Sequence, residues 1–279
     1  MGQAAFMAVG AYTAAVLSSR YGLSPWATLP LAGLFAGLVG LIFATPALRI
    51  KGFYLVMSTI AAQFIIVWIL KEWRTWTGGV FGIAVPAIEV GGRKLGLAGS
   101  YVGYWWLTLG LLVLILILAK NIQRTTTGRR FVAVRDNDLA AEVIGVNLFR
   151  TKLVAFFIGC FFAGIAGWLW AHFYTHITPD QFTFKDSLWF LGMIIVGGMG
   201  STTGAIFGVT LIRLTDKTVD YLSQILSNAF PSLSTQVPFS LPLIVFALVV
   251  IFFILVEPRG LYHRFQRLQL YYRLHPFAY

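Results

Sequence analysis

The sequence contains a single cysteine, Cys160, in a chain of 279 residues. One cysteine excludes an intrachain disulfide, and its position within an apolar run predicts a buried, unreactive thiol. Charged side chains are also scarce, because Asp, Glu, Lys and Arg make up 11% of the residues whereas hydrophobic types make up 58%. With a mean hydropathy of +0.79, this composition excludes an ordinary soluble domain and is typical of a polytopic membrane protein.

Acidic residues are the scarcer of the two charge types, since ten Asp and Glu stand against 21 Lys and Arg, for a formal net charge of +11. Nucleic-acid binding would favour a basic stripe with interleaved aromatic residues. Here the basic residues lie instead at the ends of apolar runs. We therefore expect no nucleic-acid partner, and we interpret these residues as determinants of orientation in a lipid membrane.

Motifs for catalysis and nucleotide binding are also missing. The sequence has no Walker A lysine motif, Thr203 occupies the third glycine position of the dinucleotide fingerprint, and Ser201 is not part of a G-x-S-x-G elbow. His172 and His176 have the spacing of metal ligands on a helix, but no third ligand is near them in the sequence. We therefore predict neither an enzyme nor a metal site.

Apolar runs of about 17 to 25 residues, the length that crosses a bilayer, lie at residues 27–48, 53–70, 101–119, 153–174 and 238–256. Residues 1–19 and 187–212 are also apolar but rich in small residues, and could be spans, broken helices or re-entrant segments. The sequence predicts an all-α polytopic membrane protein with about 7 to 8 transmembrane, broken or re-entrant helices in a bundle.

A polar segment, residues 120–152, separates two blocks of apolar sequence and holds the strongest concentration of basic residues. Because basic loops lie preferentially in the cytosol, we predict that this segment and the basic tail, residues 258–279, are cytoplasmic. The whole chain, 1–279, is predicted to be one transmembrane domain. Its parts are a first helix group at 1–119, the polar loop, and a second helix group at 153–257 that leads into the tail.

The polar segment contains one short helix candidate. Residues 136–138 offer N-capping oxygens, residues 139–144 are mostly good helix formers, and Gly145 supplies a left-handed stop. Leu139 and Val143, four residues apart, would share one face. A short amphipathic helix in a basic loop between spans is typical of a docking element.

The second helix group contains a cluster of closely spaced glycines. Gly200, Gly204 and Gly208 recur every four residues, which favours close packing of helices in lipid. The preceding Gly197 and Gly198 predict a break in the helix, where exposed backbone N–H groups could instead meet a polar substrate. Both interpretations remain open on the sequence.

Two further segments have predictions of their own. The glycine-rich stretch at residues 77–86, inside the outer loop 71–100, predicts either a compact loop packed over the mouth of the spans or a plain flexible connector. Residues 215–234 mix charged and apolar side chains, which predicts an amphipathic helix on the external surface that ends at Pro231.

Several stretches together resemble the inner-membrane permease subunits of ABC importers for branched-chain amino acids. They are GQAAFMAVGAYTAAVL at 2–17, KGFYLVMST at 51–59, TGGVFGI at 77–83, GRRFVAVRDNDLAAEVIGVN at 128–147, GGMGSTTGAIFG at 197–208 and EPRGL at 257–261. The resemblance implies a second, similar permease subunit, two cytoplasmic ATPase subunits and a substrate-binding protein on the outer side. ATP and Mg²⁺ would be bound by the ATPases, and this chain would bind no cofactor.

The resemblance also implies roles for particular residues. The family's coupling helix, which fits a groove on the ATPase, falls on Arg135, Asp136, Asn137, Ala140, Ala141, Glu142 and Gly145. Candidate residues of the substrate path are Gln3, Tyr12, Gly197, Gly198, Gly200, Ser201 and Gly204. Because Gly2 and Gln3 resemble the middle of a family motif, we also expect that the family's first helices are missing.

Two other functions remain open. Permeases for urea, amides or other small substrates share the resemblance, and a self-sufficient secondary carrier or channel is an alternative of a different class. An ion-coupled carrier usually needs ionisable side chains within its spans. Such groups are nearly absent from the apolar runs, and Asp186 and Arg213 lie near span ends, which favours a subunit driven from outside itself.

Overall fold

The computed structural model describes residues 2–48, 53–229, 237–257 and 260–274. These residues form twelve α-helices, two 3-10 turns and two ribbons of two short antiparallel strands. The α-helices are α1 Gln3–Arg20, α2 Pro25–Ala47, α3 Phe53–Glu72, α4 Arg74–Thr77, α5 Tyr101–Arg124, α6 Thr126–Asp136, α7 Asp138–Val143, α8 Leu148–Tyr174, α9 Phe184–Gly197, α10 Thr202–Ala229, α11 Val237–Val256 and α12 Leu261–Leu274. The strands are β1 Ile83–Ala84, β2 Glu89–Val90, β3 Arg93–Lys94 and β4 His176–Ile177. The prediction of an all-α membrane protein is confirmed.

Three helices, α2, α5 and α8, are long and apolar enough to cross a membrane. Two bent pairs reach that standard only together: α3 with α4, bent by 77°, and α9 with α10, bent by 115°. By length and composition the described residues therefore supply three spans, or five if each bent pair counts as one. The predicted spans at 27–48, 101–119 and 153–174 are confirmed, although α5 continues to Arg124 and α8 already begins at Leu148.

The chain divides into two compact units, Met1–Ser187 and Leu188–Tyr279. The boundary lies just after the start of α9 rather than in the polar segment. That segment, with α6 and α7, belongs to the first unit. The single domain over 1–279, with its parts at 1–119, 120–152, 153–257 and 258–279, stays a prediction.

The core of the first unit consists of α1, α2 and α8, each of which packs against the other two. Helices in lipid gain little from apolar burial, so small residues that let two backbones approach favour their association. A Cβ atom on Gly10 would overlap the backbone of Gly164, and one on Gly167 would overlap the Met7 carbonyl. Glycine at these positions therefore sets the distance between α1 and α8.

A compact cap closes one end of the first unit. β1 pairs with β4, with Ile83 opposite Ile177, so the stretch after α4 is bonded to the stretch after α8. The buried Thr77 hydroxyl donates to the carbonyl oxygens of Leu70 and Trp73, at 2.7 and 2.8 Å. The prediction of a compact loop at 77–86 is confirmed, and a plain flexible connector is not what forms.

In the second unit, α10 follows α9 after a sharp break and runs for 28 residues without interruption. The predicted amphipathic helix at 215–234 is therefore not a separate element, because its first part continues α10 through Ala229. Pro231, its predicted end, lies outside the described residues. Trp189 stacks on Phe246 with ring centroids 3.9 Å apart, which joins α9 to α11.

Candidate functional site

The polar segment forms two helices, where the sequence predicted one. The missed helix, α6, is capped by Thr125, whose hydroxyl accepts a hydrogen bond from the Gly128 N–H at 3.4 Å. Its signals were this capping threonine and the partly apolar stretch that follows it, with Val134 turned inward and buried.

The predicted short helix is α7, and its capping is as expected. Asn137 is the N-cap, and its Oδ1 accepts a hydrogen bond from the Ala140 N–H at 3.1 Å. Gly145 ends the helix with φ +87, a left-handed conformation that favours glycine. Asp136 does not cap α7, because it is the last residue of α6 and pairs with the adjacent Arg135 at 2.9 Å.

Two contacts attach α7 to the rest of the unit. Ala141 is buried, and its carbonyl oxygen accepts the Val146 N–H at 2.9 Å. Asp138, at the first turn of α7, forms an ion pair of 2.7 Å with Lys152, in the first turns of α8. Because α8 is a candidate membrane span, this ion pair links the short helix directly to a transmembrane helix.

The opposite face of α7 presents apolar side chains to the surroundings. Leu139, Val143 and Ile144 are 69%, 87% and 73% exposed, beside the exposed carboxylate of Glu142. Ile144 was not singled out from the sequence, although it follows Ala140 by four residues and so extends the apolar face. Adjacent exposed apolar residues on a short helix form the kind of surface that inserts into a groove of a partner.

The structure brings together five of the predicted path residues, those at the break between α9 and α10. Gly198 and Gly200 adopt φ +112 and +92, and the helix resumes at Thr202. The Ser201 hydroxyl accepts a hydrogen bond from the Gly204 N–H at 2.7 Å and so caps α10. The prediction of a break at Gly197 and Gly198 is confirmed.

The glycine row serves close packing of α10 against α9. A Cβ atom on Gly204 would lie 2.7 Å from the Gly197 carbonyl oxygen, and one on Gly208 would overlap the Met193 carbonyl. Gly200 precedes the helix and so does not share this face. Gly260 packs against Gly198, which places the break beside the end of α11. A contact with substrate at these residues stays a prediction.

Gln3 and Tyr12, the other predicted path residues, both lie on α1. Nine residues at 3.6 per turn separate them by two and a half turns, so they occupy opposite faces. Gln3 is exposed and Tyr12 is buried. The structure therefore does not bring these two side chains together.

A buried glutamine that sequence reasoning missed lies beside the start of α1. Gln63, on α3, is 1% exposed, and its Oε1 accepts hydrogen bonds from the Ala5 N–H at 2.9 Å and the Ser187 hydroxyl at 3.0 Å. Its Nε2 donates to the Phe182 carbonyl at 3.0 Å, and Ser187 Oγ in turn accepts the Ala4 N–H at 3.0 Å. The first turn of α1, whose N-cap residue has no capping side chain, is thus capped by α3 and α9.

The two histidines with metal-ligand spacing lie in different secondary-structure elements. His172 is buried at the end of α8, with Nδ1 2.9 Å from the Pro86 carbonyl oxygen, and His176 lies in β4 opposite Ala84. Across the described parts of the chain, His, Cys, Asp and Glu side chains form no group of three that could hold a metal ion.

Fold and site define a polytopic helical membrane protein that presents a capped, partly apolar short helix outside its spans. Residues 1–256 match the family described as "branched-chain amino acid transport system / permease component", and the chain belongs to this family. Together with its apolar helices, this makes it a multi-pass inner-membrane protein of the permease class.

Three relatives illustrate the range of similarity. The chain is 34% identical over 233 residues to the high-affinity branched-chain amino acid permease LivM of Escherichia coli K12, covering 76% of this chain and 55% of the relative. It is 27% identical over 182 residues to a probable LivM of Methanocaldococcus jannaschii, covering 64% and 51%. It is 31% identical over 147 residues to the autoinducer 2 permease LsrC of an Enterobacter species, covering 50% and 41%. No solved structure matches significantly.

The chain spans about half the length of the LivM proteins that it matches, 55% and 51% in these two cases.

Proposed function

We propose that this chain is the membrane-spanning subunit of an ATP-driven importer that moves leucine, isoleucine and valine across the inner membrane. The observation that carries the proposal is the family match over residues 1–256, together with the exposed apolar face of α7 in the polar segment. The LivM relatives support this substrate class, because LivM of Escherichia coli matches 76% of the chain whereas LsrC matches 50%. Urea, amides and other small substrates remain the alternative.

In this proposal α7 is the contact with a cytoplasmic ATPase. Leu139, Val143 and Ile144 enter a groove on the ATPase, while the ion pair between Asp138 and Lys152 holds the helix on α8. Closure of two ATPase subunits around ATP and Mg²⁺ pushes α7. The push shifts the equilibrium of the spans between an outward-open and an inward-open state. It can do so because the contact between α7 and the ATPase differs between these two states.

The remaining partners follow from the same proposal. A second, similar permease subunit completes the substrate path, and an amino-acid-binding protein delivers substrate from the outer side. The polar segment 120–152 and the basic tail are cytoplasmic, as the concentration of Arg and Lys in them favours. This chain contributes no nucleotide site and no catalysis of its own.

The proposal is tested by changing the exposed face of α7 in the assembled transporter, reconstituted into vesicles with its partners. We expect Val143→Asp to lower ATP-dependent leucine uptake by about tenfold or more, because a charge on the docking face removes apolar contacts at the centre of an interface. Val90→Asp, at an exposed apolar position in β2, is the matched control and should leave uptake unchanged.

Two readouts separate the possible results. A Val143→Asp transporter that hydrolyses ATP but imports little leucine supports the coupling role of α7. Normal leucine uptake by the Val143→Asp transporter would contradict it. Uptake of urea or an amide instead of leucine by the unmodified transporter would contradict the proposed substrate. It would leave the proposed docking role of α7 unaffected.

A further inference from the structure

An apolar groove of about 650 Å³ runs along the first unit between α1, α2 and α3. Its walls include Val9 and Val16 of α1, Val39 and Phe43 of α2, and Ile66 and Ile69 of α3. This volume lies within the range of about 300 to 1,000 Å³ that is usual for small-molecule sites. Few polar groups line it: the Thr13 hydroxyl is bonded at 2.7 Å to the Val9 carbonyl and the Thr77 hydroxyl at 2.7 Å to the Leu70 carbonyl, whereas the buried Tyr12 hydroxyl has no hydrogen-bond partner among the described residues.

The groove has an aromatic and cationic mouth at one end, where Tyr21, Trp73 and Trp76 line it. Arg20 follows Val9 by eleven residues and Val16 by four, so it continues the groove-facing stripe of α1. The Arg20 guanidinium lies 5.4 Å from the centre of the Trp76 ring and donates a hydrogen bond to the Thr75 carbonyl. Its position at the mouth is therefore fixed by two contacts.

The positive charge at this mouth has no carboxylate paired with it among the described residues. Arg74 lies on α4, the four-residue helix that also carries Trp76. Across the described residues, no carboxylate forms an ion pair with Arg20 or Arg74, and the nearby Asp180 pairs with Lys71 at 2.6 Å. Neither Arg74 nor Glu72 of α3, three residues after Ile69, lines the groove itself. An anion at the mouth would meet the Arg20 guanidinium.

The length of the groove matches one leaflet of a bilayer. Eleven residues from Val9 to Arg20 rise about 16 Å along α1. This distance is about half of the roughly 30 Å of a bilayer's hydrocarbon core. Aromatic residues and Arg at one end of such a stripe are also typical of the membrane–water interface.

The walls favour a lipid chain over a helix as the occupant. Helices that associate in membranes present small residues to each other, and the small residues of α2 are already turned towards α8. Cβ atoms on Gly33 and Gly37 would meet Phe161 and Phe157 of α8. The groove-facing side of α2 instead carries bulky side chains such as Val39 and Phe43, between which a flexible chain fits better than a backbone.

We propose that the groove binds one acyl chain of a phospholipid, with the lipid's phosphate held by Arg20. The acyl chain lies along Val9, Val16 and Ile66, and the aromatic residues at the mouth surround the ester region. The proposal requires only the first unit in a membrane, and Tyr12, a predicted path residue, also lines this groove.

A photoreactive phospholipid tests the site in the assembled transporter. The probe is a phosphatidylglycerol with a diazirine on its acyl chain, in lipid discs, and labelled peptides are identified by mass spectrometry. We expect labels concentrated on α1, α2 and α3 at the groove. Val16→Trp fills the groove and should lower this labelling by about tenfold, since affinity falls steeply with each methylene that loses its burial. Val113→Trp, on the exposed surface of α5, is its control.

The headgroup contact has its own pair of variants. Arg20→Gln should lower labelling of the groove, whereas Arg93→Gln, in the exposed strand β3, should not. Labels spread equally over α5 and the groove would overturn the proposal. So would full groove labelling in Val16→Trp, or crosslinks from the groove to another polypeptide instead of lipid. If Val16→Trp does not fold, Val39→Phe provides the same test with a smaller change.

Discussion

Single glycines set the distance between the helices at the centre of the first unit. Gly167 lies against the Met7 carbonyl, so there is no room for a methyl group without movement of a backbone. Gly110, on α5, has open space around it. The same residue type therefore has opposite consequences at two positions within predicted spans, and the sequence does not distinguish them.

We predict that Gly167→Ala lowers stability by about 1 to 3 kcal/mol, the usual range for overpacking. Gly110→Ala should leave stability unchanged or raise it slightly, because alanine favours a helix by about 1 kcal/mol over glycine. Thermal unfolding of the purified chain in detergent measures both. Equal midpoints for the two variants would contradict the packing described for α1 and α8.

The buried Gln63 is the second position where one residue decides a local arrangement. We expect Gln63→Leu to lower stability by about 1 to 3 kcal/mol, since the Ala5 N–H would be left buried without its partner. Gln123→Leu, at the exposed end of α5, is the matched control. Hydrogen exchange at the first turn of α1 is the more direct measurement, and unchanged protection there would show that Gln63 does not cap this helix.

Among the elements, α7 depends on a single ion pair for its connection to α8. Asp138 and Lys152 are both partly exposed, so breaking the pair should change stability by less than about 1 kcal/mol. Under the proposed function, Asp138→Lys should nevertheless lower the leucine imported per ATP hydrolysed, because α7 would be repelled from Lys152.

Exchange of the two charges provides the control for this prediction. The double variant Asp138→Lys, Lys152→Asp should recover part of the lost coupling. The same exchange at Glu89 and Lys94, an ion pair of 3.9 Å in the β2–β3 ribbon, should have no effect. If the single variant Asp138→Lys retains normal coupling, the ion pair does not transmit force.

Local chemistry made some elements predictable from the sequence. Asn137 and Gly145 specify the two ends of α7, and Gly197 with Gly198 specifies the break before α10, because capping and positive φ are properties of single residues. The pairing of Ile83 with Ile177 was not predictable, since the two lie far apart in the chain. The role of Gln63 likewise depends on Ser187 and Phe182, which only the folded chain brings to it.

For the whole molecule, hydropathy predicted the polytopic fold, because apolar runs of bilayer length are typical of membrane spans. It did not separate intact spans from bent ones, since α3 and α9 are about as apolar as the intact spans α5 and α8, and the bends lie at the short breaks before α4 and α10. The substrate path depends on how helices are arranged around it. The nine-residue spacing of Gln3 and Tyr12 already implies opposite faces of a helix, but which face is buried could not be predicted, and the structure buries Tyr12 and exposes Gln3.

The account as a whole requires that α7 faces the cytosol and contacts an ATPase. Site-directed labelling in sealed vesicles tests this directly, with Val143→Cys in a Cys160→Ala background, since Cys160 is the chain's single cysteine. Phe81→Cys, at an exposed position in the cap, is the control for the outer side. We predict that a membrane-impermeant maleimide modifies Val143→Cys only from the cytosolic side, and less once the ATPase is assembled. Modification of Val143→Cys from the outer side would contradict the account.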